Sequence, residues 1–197
     1  MADDRMQKMF QEVEKRVVEL LKPDRFYVTL YDRVTARLEF PLVFGDEKLS
    51  LKRRAFDEKK VPDCILIEGS KRLYDFNVAA GIKSDGFEYW PDEKIPESWL
   101  GMPIIFDNKV LGAMVVESYT VGVFGSQAET VLRKIAEQVA TVIEDIRSDQ
   151  RIIAINEIGQ KLNSEIQLGE KNILKLIRAE ASRLVYADNM YIALYDE

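Results

Sequence analysis

Histidine is absent from this 197-residue sequence, and cysteine occurs once, as Cys64. Without histidine, acid–base catalysis by an imidazole, most zinc sites and histidine-ligated haem are excluded. A single cysteine excludes a disulfide within the chain and a two-cysteine redox cycle, and it fits a reducing compartment such as the cytoplasm. We therefore expect a binding or regulatory protein rather than an enzyme, with no metal and no cofactor.

Strong positive charge and long apolar runs are also missing. Lys and Arg together number 28 against 34 Asp and Glu, a net charge of −6, so no nucleic-acid or membrane partner is expected. No apolar segment reaches the ~18 residues that a membrane-spanning helix needs. Met1 is followed by Ala-Asp-Asp-Arg rather than by the apolar core of a signal peptide.

The N-terminal part of the chain changes from a helical pattern to a strand pattern. Residues 5–21 place apolar side chains three and four positions apart, which predicts a helix with one buried face. Residues 26–31 and 38–44 alternate with a period of two, which predicts two strands. Pro41 indicates that the second strand lies at an edge of the sheet. A weaker third strand is expected around 48–55.

The next segment, residues 62–97, is less regular. A short helix is expected from Pro62 to about Gly69, because proline favours a first turn and glycine favours a helix end. A short strand is expected at 73–76. The rest predicts a long loop rich in aromatic residues, and a loop of this length in a compact domain is more often functional than decorative.

Two apolar runs follow, at 98–106 and 109–118, and Asp107-Asn108 between them predicts a tight hairpin turn. Both runs are apolar on both faces, so we expect central strands that are covered on each side. Ser126 and Glu129 have the spacing of a capping box at the start of a helix.

Neither proline nor glycine interrupts residues 126–158, which predicts one long helix or two helices joined by a flexible joint. A single helix over 126–165 would be ~60 Å long, far longer than one domain needs. We therefore expect a homodimer that uses this helix and the helix at 5–21. The expected dimer-interface residues are Leu132, Ile135, Val139, Val142 and Ile146. The alternative is two ordinary surface helices that meet at a loop.

An internal similarity links the two ends of the chain, because residues 177–197 align without gaps to residues 13–33. The identical pairs are Leu20/Leu184, Asp24/Asp188, Tyr27/Tyr191, Leu30/Leu194, Tyr31/Tyr195 and Asp32/Asp196. This similarity predicts a duplication: a first domain at 5–147, a helical linker at 148–168, and the first helix and strand of a second, truncated domain at 169–197. The chain would then be a segment of a longer protein. The alternative is a coincidental likeness.

Several motifs resemble those of the GAF domain family. The most specific are SWLGMPI at 98–104 and Val110-Leu111-Gly112, followed by Phe124, while 136–140 resembles the A-x-Q-x-A segment of the closing helix. The resemblance covers about 5–147 and is strongest to GAF repeats of multidomain bacterial and archaeal sensors. It implies an α+β fold: a six-stranded antiparallel sheet with terminal helices on one face, a lidded small-molecule pocket on the other, and a long C-terminal connecting helix.

The motifs of well-known GAF ligand sites are incomplete here. Cyclic-nucleotide GAF domains carry Asn-Lys where this chain has Ser118-Tyr119, and aspartate where it has Ala128, although Phe124 and Glu129 match. Bilin-binding GAF domains attach the chromophore through a cysteine that is commonly followed by histidine. Free methionine sulfoxide reductases of this fold need several cysteines. The resemblance therefore favours neither of these ligands, nor this enzyme.

What remains is a pocket with aromatic walls, suited to a small flat or amphipathic ligand. The candidate ligand-binding residues are Cys64, Phe76, Asn77, Phe87, Tyr89, Trp90 and Trp99; alternatively, these side chains only fill the core. The resemblance implies a non-catalytic sensory module that signals through a dimeric helix to an output domain of the same polypeptide, such as a histidine kinase or a nucleotide cyclase. The alternative is a ligand-free dimerisation or protein-interaction scaffold.

Overall fold

The computed structural model describes residues 2–45, 53–89 and 94–164, together with residues 174, 175, 177, 178 and 191. The chain divides into two units, Met1–Glu144 and Asp145–Glu197. The expected second, truncated domain falls almost entirely outside the described residues and stays a prediction. Within the described ranges, none of the helices is both long and apolar enough to cross a membrane.

The described residues form four helices and eight strands. They are α1 (Ala2–Leu21), β1 (Arg25–Asp32), β2 (Arg37–Phe44), β3 (Arg54–Ala55), β4 (Lys60–Val61), α2 (Asp63–Glu68), β5 (Arg72–Tyr74), α3 (Val78–Ser84), β6 (Glu88–Tyr89), β7 (Ser98–Phe106), β8 (Lys109–Ser118) and α4 (Ser126–Ser164). The long C-terminal helix is therefore a single helix, and the hairpin of two apolar strands is confirmed.

The main sheet has six strands in the order β3-β2-β1-β8-β7-β5, and every neighbouring pair is antiparallel. This arrangement confirms the expected α+β fold with a six-stranded antiparallel sheet. The central strand β8 is buried along eight consecutive residues, from Leu111 to Ser118, as its unbroken apolar pattern predicts. β4 and β6 form a separate parallel pair of two residues each.

The sheet separates two hydrophobic clusters. Phe26 and Val28 point to one face, where α1 and α4 pack over the strands; we call it the helix face. Tyr27 and Trp99 point to the opposite face, where α2 and α3 pack; we call it the lid face. Because side chains alternate between faces along a strand, consecutive residues of β1 belong to different clusters.

Three residues that were assigned to the dimer interface lie in the core. Leu132, Ile135 and Val139 are buried in the cluster on the helix face. Ile146 is also buried, and Val142 is half-buried. The burial of Leu132, Ile135, Val139 and Ile146 corrects their assignment to the interface, because a side chain that its own chain already covers has no surface left for a second copy. The assignment of Val142 stays a prediction. A dimer itself stays a prediction.

β2 lies between β1 and β3, but its described pairing with β3 includes only Arg37 and Leu38, so Pro41 lies on a part of β2 whose described partner is β1. It falls where the register between β1 and β2 shifts, between the pairs Val28↔Leu42 and Leu30↔Glu39. A strand tolerates proline at such an irregularity, because the ladder is already interrupted there and the missing N–H leaves no regular hydrogen bond unmade.

Two further local predictions are wrong. The expected loop at 76–97 contains α3 and β6, and α3 begins after Asn77, whose side chain accepts a hydrogen bond from the backbone of α3. The capping box is not formed, because the Glu129 carboxylate pairs with Lys71 instead of turning back towards Ser126. At Glu129, a contact with another part of the chain decides the outcome.

Gly112 provides a test of the strand packing. It lies opposite Leu30 on β1, and a Cβ atom added to it would be 2.0 Å from the carbonyl oxygen of Thr29. Because that oxygen belongs to the backbone, it cannot rotate away. We expect Gly112→Ala to lower the free energy of unfolding by about 1–3 kcal/mol, measured by urea denaturation.

The matched control is Gly159→Ala in α4, where an added Cβ meets nothing within 4 Å. This change is expected to be neutral or stabilising, because alanine favours a helix more than glycine does. An unfolding midpoint for Gly112→Ala equal to that of the native chain contradicts the close approach of β8 to β1.

Candidate functional site

A buried ion pair joins two central strands on the lid face. Arg25 at the start of β1 and Glu117 near the end of β8 are cross-strand partners. The distance from Arg25 Nη2 to Glu117 Oε2 is 2.5 Å, and each residue is 1% exposed. Charges this deep occur in pairs, because an isolated charge in the interior loses its hydration without compensation.

Two tyrosine hydroxyls complete the arrangement. Tyr89 accepts a hydrogen bond from Arg25 Nη2 at 2.5 Å and donates one to Glu117 Oε1 at 3.0 Å. Tyr27 donates to the same carboxylate oxygen at 3.3 Å. We call these four residues the Arg25–Glu117 cluster. It holds a hydroxyl group between a guanidinium donor and a carboxylate acceptor.

Arg25 also contacts the chain segments that surround the cluster. Its Nη2 donates to the backbone oxygen of Lys94 at 3.2 Å. Its guanidinium carbon is 5.5 Å from the centre of the Tyr119 ring, and the Lys94 ammonium is 4.0 Å from the same ring centre. Both distances fall within the range of cation–π attraction, so one arginine links β1, β8 and the residues next to them.

Burial and pairing set the protonation of the cluster. Burial raises the pKa of Glu117, and the charge of Arg25 opposes that rise. Burial lowers the pKa of Arg25, but Glu117 and three tyrosines raise it above its ordinary value overall. Burial and the Glu117 charge raise the pKa of both Tyr89 and Tyr27. Both tyrosines therefore remain neutral phenols that can donate a hydrogen bond.

Asp24 connects the ends of the same two strands. Its Oδ2 accepts hydrogen bonds from the Ser118 hydroxyl and from the Tyr119 amide, each at 2.7 Å. Its own amide donates to the backbone oxygen of Glu117 at 2.9 Å. The bond from Ser118, followed by the bond from Tyr119, holds the pKa of Asp24 below its ordinary value of 3.8.

Several of the predicted ligand residues do lie on the lid face. Trp99 is fully buried, with its ring 5.7 Å from that of Tyr74. Phe87 is half-buried, and the Arg72 guanidinium carbon lies 4.5 Å from its ring centre. Cys64 is buried in α2, and burial raises the pKa of its thiol to about 11. Cys64 is therefore an uncharged thiol at neutral pH.

Other predicted ligand residues are placed elsewhere. Phe76 is 79% exposed, so it does not line an enclosed pocket. Asn77 is exposed and caps α3, which accounts for its side chain without a ligand. Trp90 lies outside the described residues.

Sequence reasoning missed Arg25, Tyr27 and Glu117. Arg25 looks like a solvated charge next to a turn, and Glu117 like the polar end of an apolar strand. One signal was available for Glu117: it is a charged residue near the end of the run at 109–118, whose pattern predicts burial on both faces. In the parts of the chain that are described, His, Cys, Asp and Glu side chains form no group of three that could hold a metal ion.

A sheet with terminal helices on one face and a lid over buried polar groups on the other is the architecture of GAF domains. The GAF domain family model matches residues 5–143. This match covers more than half of the chain, and the chain belongs to the GAF domain family. No curated protein matches it.

Solved structures share the fold at low sequence identity. The GAF domain of a phosphoenolpyruvate-protein phosphotransferase from Acinetobacter has 21% identity and a TM-score of 0.59, covering 74% of this chain and 93% of its own. A type II free methionine-R-sulfoxide reductase from Thermoplasma acidophilum has 13% identity and a TM-score of 0.62, and the match covers 74% of this chain and 96% of the reductase chain. Residues 122 to 287 of a methyl-accepting chemotaxis protein have 16% identity and a TM-score of 0.57, and the match covers 74% of this chain and 96% of that fragment.

The Arg25–Glu117 pair leads to a stability prediction. Glu117→Gln keeps the side-chain shape but leaves the Arg25 charge buried without a counter-ion. We therefore expect it to lower the free energy of unfolding by about 3–5 kcal/mol. The double variant Arg25→Met/Glu117→Leu removes both charges and should recover most of this loss. Urea denaturation measures both.

The control for this prediction is an exposed ion pair. Glu88→Gln breaks the pair with Lys60 at the surface and should cost at most about 1 kcal/mol. A loss of the same size for Glu117→Gln and Glu88→Gln is incompatible with a buried charge at Arg25.

Asp24 leads to a prediction about acid stability. Because its folded-state pKa lies below its ordinary value, its carboxylate stabilises the fold above about pH 4, and this contribution is lost as the pH falls through the folded-state pKa. We expect Asp24→Asn to flatten the acid side of the stability profile, and Ser118→Ala to flatten it in part. Urea denaturation at a series of pH values from neutral downwards measures how the free energy of unfolding changes with pH. Identical slopes for the native chain, Asp24→Asn and Ser118→Ala refute the prediction.

Proposed function

We propose that this chain is a regulatory GAF module of a signalling protein, which binds a small molecule on the lid face and transmits the change along α4 within a dimer. The observation that carries the proposal is the continuity of α4 from Ser126 to Ser164. Its first turns contribute to the core on the helix face, and the helix continues beyond the family match, which ends at 143. A continuous helix of this kind can carry a change of packing out of the domain.

The later part of α4 provides a surface for a second copy of the chain. Ile152, Ile153 and Ile155 are 56%, 56% and 58% exposed. Isoleucines exposed close together indicate an interaction surface, and Ile152 and Ile155 have the three-residue spacing of a coiled-coil seam. A second copy would present the same residues and close the contact with two-fold symmetry. We therefore place the proposed dimer contact on these isoleucines.

Family membership supports a regulatory role rather than a catalytic one. GAF domains are generally regulatory, and a chemotaxis protein is among the structures with this fold. A methionine sulfoxide reductase also has this fold, but such enzymes need several cysteines and this chain has one. The proposed output is a further domain of the same polypeptide.

A second candidate is a ligand-free scaffold for dimerisation or protein interaction. The lid face favours this reading in one respect, because Trp99 is 0% exposed and Tyr27 is 4% exposed. Side chains of the chain itself therefore fill much of the space above the central strands. In a scaffold, the Arg25–Glu117 cluster would have a structural role alone.

Native mass spectrometry of the purified chain tests both candidates. We expect a dimer at tens of micromolar protein, and a monomer for the double variant Ile152→Lys/Ile155→Lys, because charges in the seam oppose its burial. Val34→Lys is the matched control: it is equally exposed in the β1–β2 turn and should stay dimeric. A monomeric native chain contradicts the proposal. A dimer that retains a small molecule supports sensing, and one without added mass supports the scaffold.

A further inference from the structure

The Tyr89 hydroxyl is bound in the Arg25–Glu117 cluster as a ligand hydroxyl would be. It accepts from the guanidinium of Arg25 and donates to the carboxylate of Glu117. Both partners are charged, and hydrogen bonds to charged groups are the stronger class. The cluster therefore selects a group that accepts and donates at the same atom, which is the chemistry of a hydroxyl.

The charge balance of the cluster favours a neutral occupant. Arg25 and Glu117 are both buried, and their charges compensate each other. A carboxylate in the place of the Tyr89 hydroxyl would leave an uncompensated negative charge in the interior, and an ammonium group would leave a positive one. Either charge would be costly to bury. A neutral hydroxyl keeps the balance.

The surroundings favour an aromatic ring behind that hydroxyl. The cluster already accommodates the ring of Tyr89, and the Tyr119 ring lies beside Arg25. Tyr27 contributes a second phenol from β1. Aromatic rings pack well against one another in offset or tilted arrangements, so a ligand that carries its hydroxyl on a ring would replace the Tyr89 side chain by one of the same kind.

Tyr89 is also the least buried member of the cluster. Arg25, Tyr27 and Glu117 stand on the two central strands and are buried, whereas Tyr89 is half-buried. Its strand, β6, is two residues long and pairs with β4 outside the main sheet. Rotation of the Tyr89 side chain would free the hydroxyl position without breaking the central strands.

We propose that Arg25, Tyr27 and Glu117 of the cluster form a binding site for a small neutral aromatic alcohol of the phenol class, which displaces the Tyr89 side chain from them. This inference rests on the proposed sensory function and names the chemical class of its ligand. Its failure is distinguishable from failure of that function, because the oligomeric state is measured without any added phenol.

The experiment is a nuclear magnetic resonance titration with p-cresol, which has the shape of a tyrosine side chain. In the native chain, we expect changes of the chemical shifts of Tyr89 and Glu117 that saturate as p-cresol is added. Tyr89→Ala should bind p-cresol about tenfold or more tightly than the native chain, because the competing phenol with its hydrogen bonds to charged groups is gone. Toluene, which has no hydroxyl, and benzoate, which is charged, should each bind Tyr89→Ala at least about tenfold more weakly than p-cresol.

Tyr31→Ala is the matched control. It removes a tyrosine from the lid face of β1, outside the cluster, where the Tyr31 ring centre lies 5.2 Å from that of Phe56. We expect its p-cresol affinity to equal that of the native chain. The proposal is overturned if the native chain shows no saturable shift, if toluene binds Tyr89→Ala as well as p-cresol does, or if Tyr31→Ala increases affinity as much as Tyr89→Ala.

A second variant covers the case in which Tyr89→Ala does not fold. Tyr89→Phe keeps the ring and removes the hydroxyl, so the intramolecular competitor is weakened while the packing is preserved. We expect it to bind p-cresol more tightly than the native chain does. Equal affinity of the two chains overturns the proposal.

Discussion

The buried pairing of Arg25 with Glu117 constrains how the centre of the sheet is assembled. The two residues are opposite each other on β1 and β8, so bringing their charges together also sets the register of the strands. A shift by one residue would turn every side chain of β1 to the other face and would leave two buried charges apart. Isolated buried charges cost far more than a lost apolar contact. The ion pair therefore discriminates against wrong registers more strongly than the hydrophobic pattern alone.

Much of the fold could be predicted because its long elements follow periodic patterns that depend only on nearby residues. The helix at 5–21, the hairpin of β7 and β8 and the helical pattern from residue 126 onwards belong to this group. The short elements could not be predicted in the same way. α3 has seven residues, of which Val78 and Ile82 are buried, and such a pattern is too brief to distinguish a helix from a loop. Packing against the lid face decides its conformation.

The candidate site was harder to predict because side-chain type does not determine burial. An aromatic loop suggested Phe76, which is exposed, while the charged Arg25 is buried. The burial of a charge depends on a partner far along the chain, and no local pattern reports that partner. The same limit applies to α4, where Leu132 and Val139 show the spacing of an interface but serve the core. Core and interface require the same apolar spacing, so the spacing cannot tell them apart.

The division of the interior by the sheet has a consequence for how this protein can evolve. The helix-face cluster is built largely from aliphatic residues, whereas the lid face holds the polar network. Substitutions on opposite sides of a backbone layer are far enough apart for their free-energy effects to add rather than interfere. A lineage can therefore change the polar residues of one compartment while the other compartment maintains the stability of the fold.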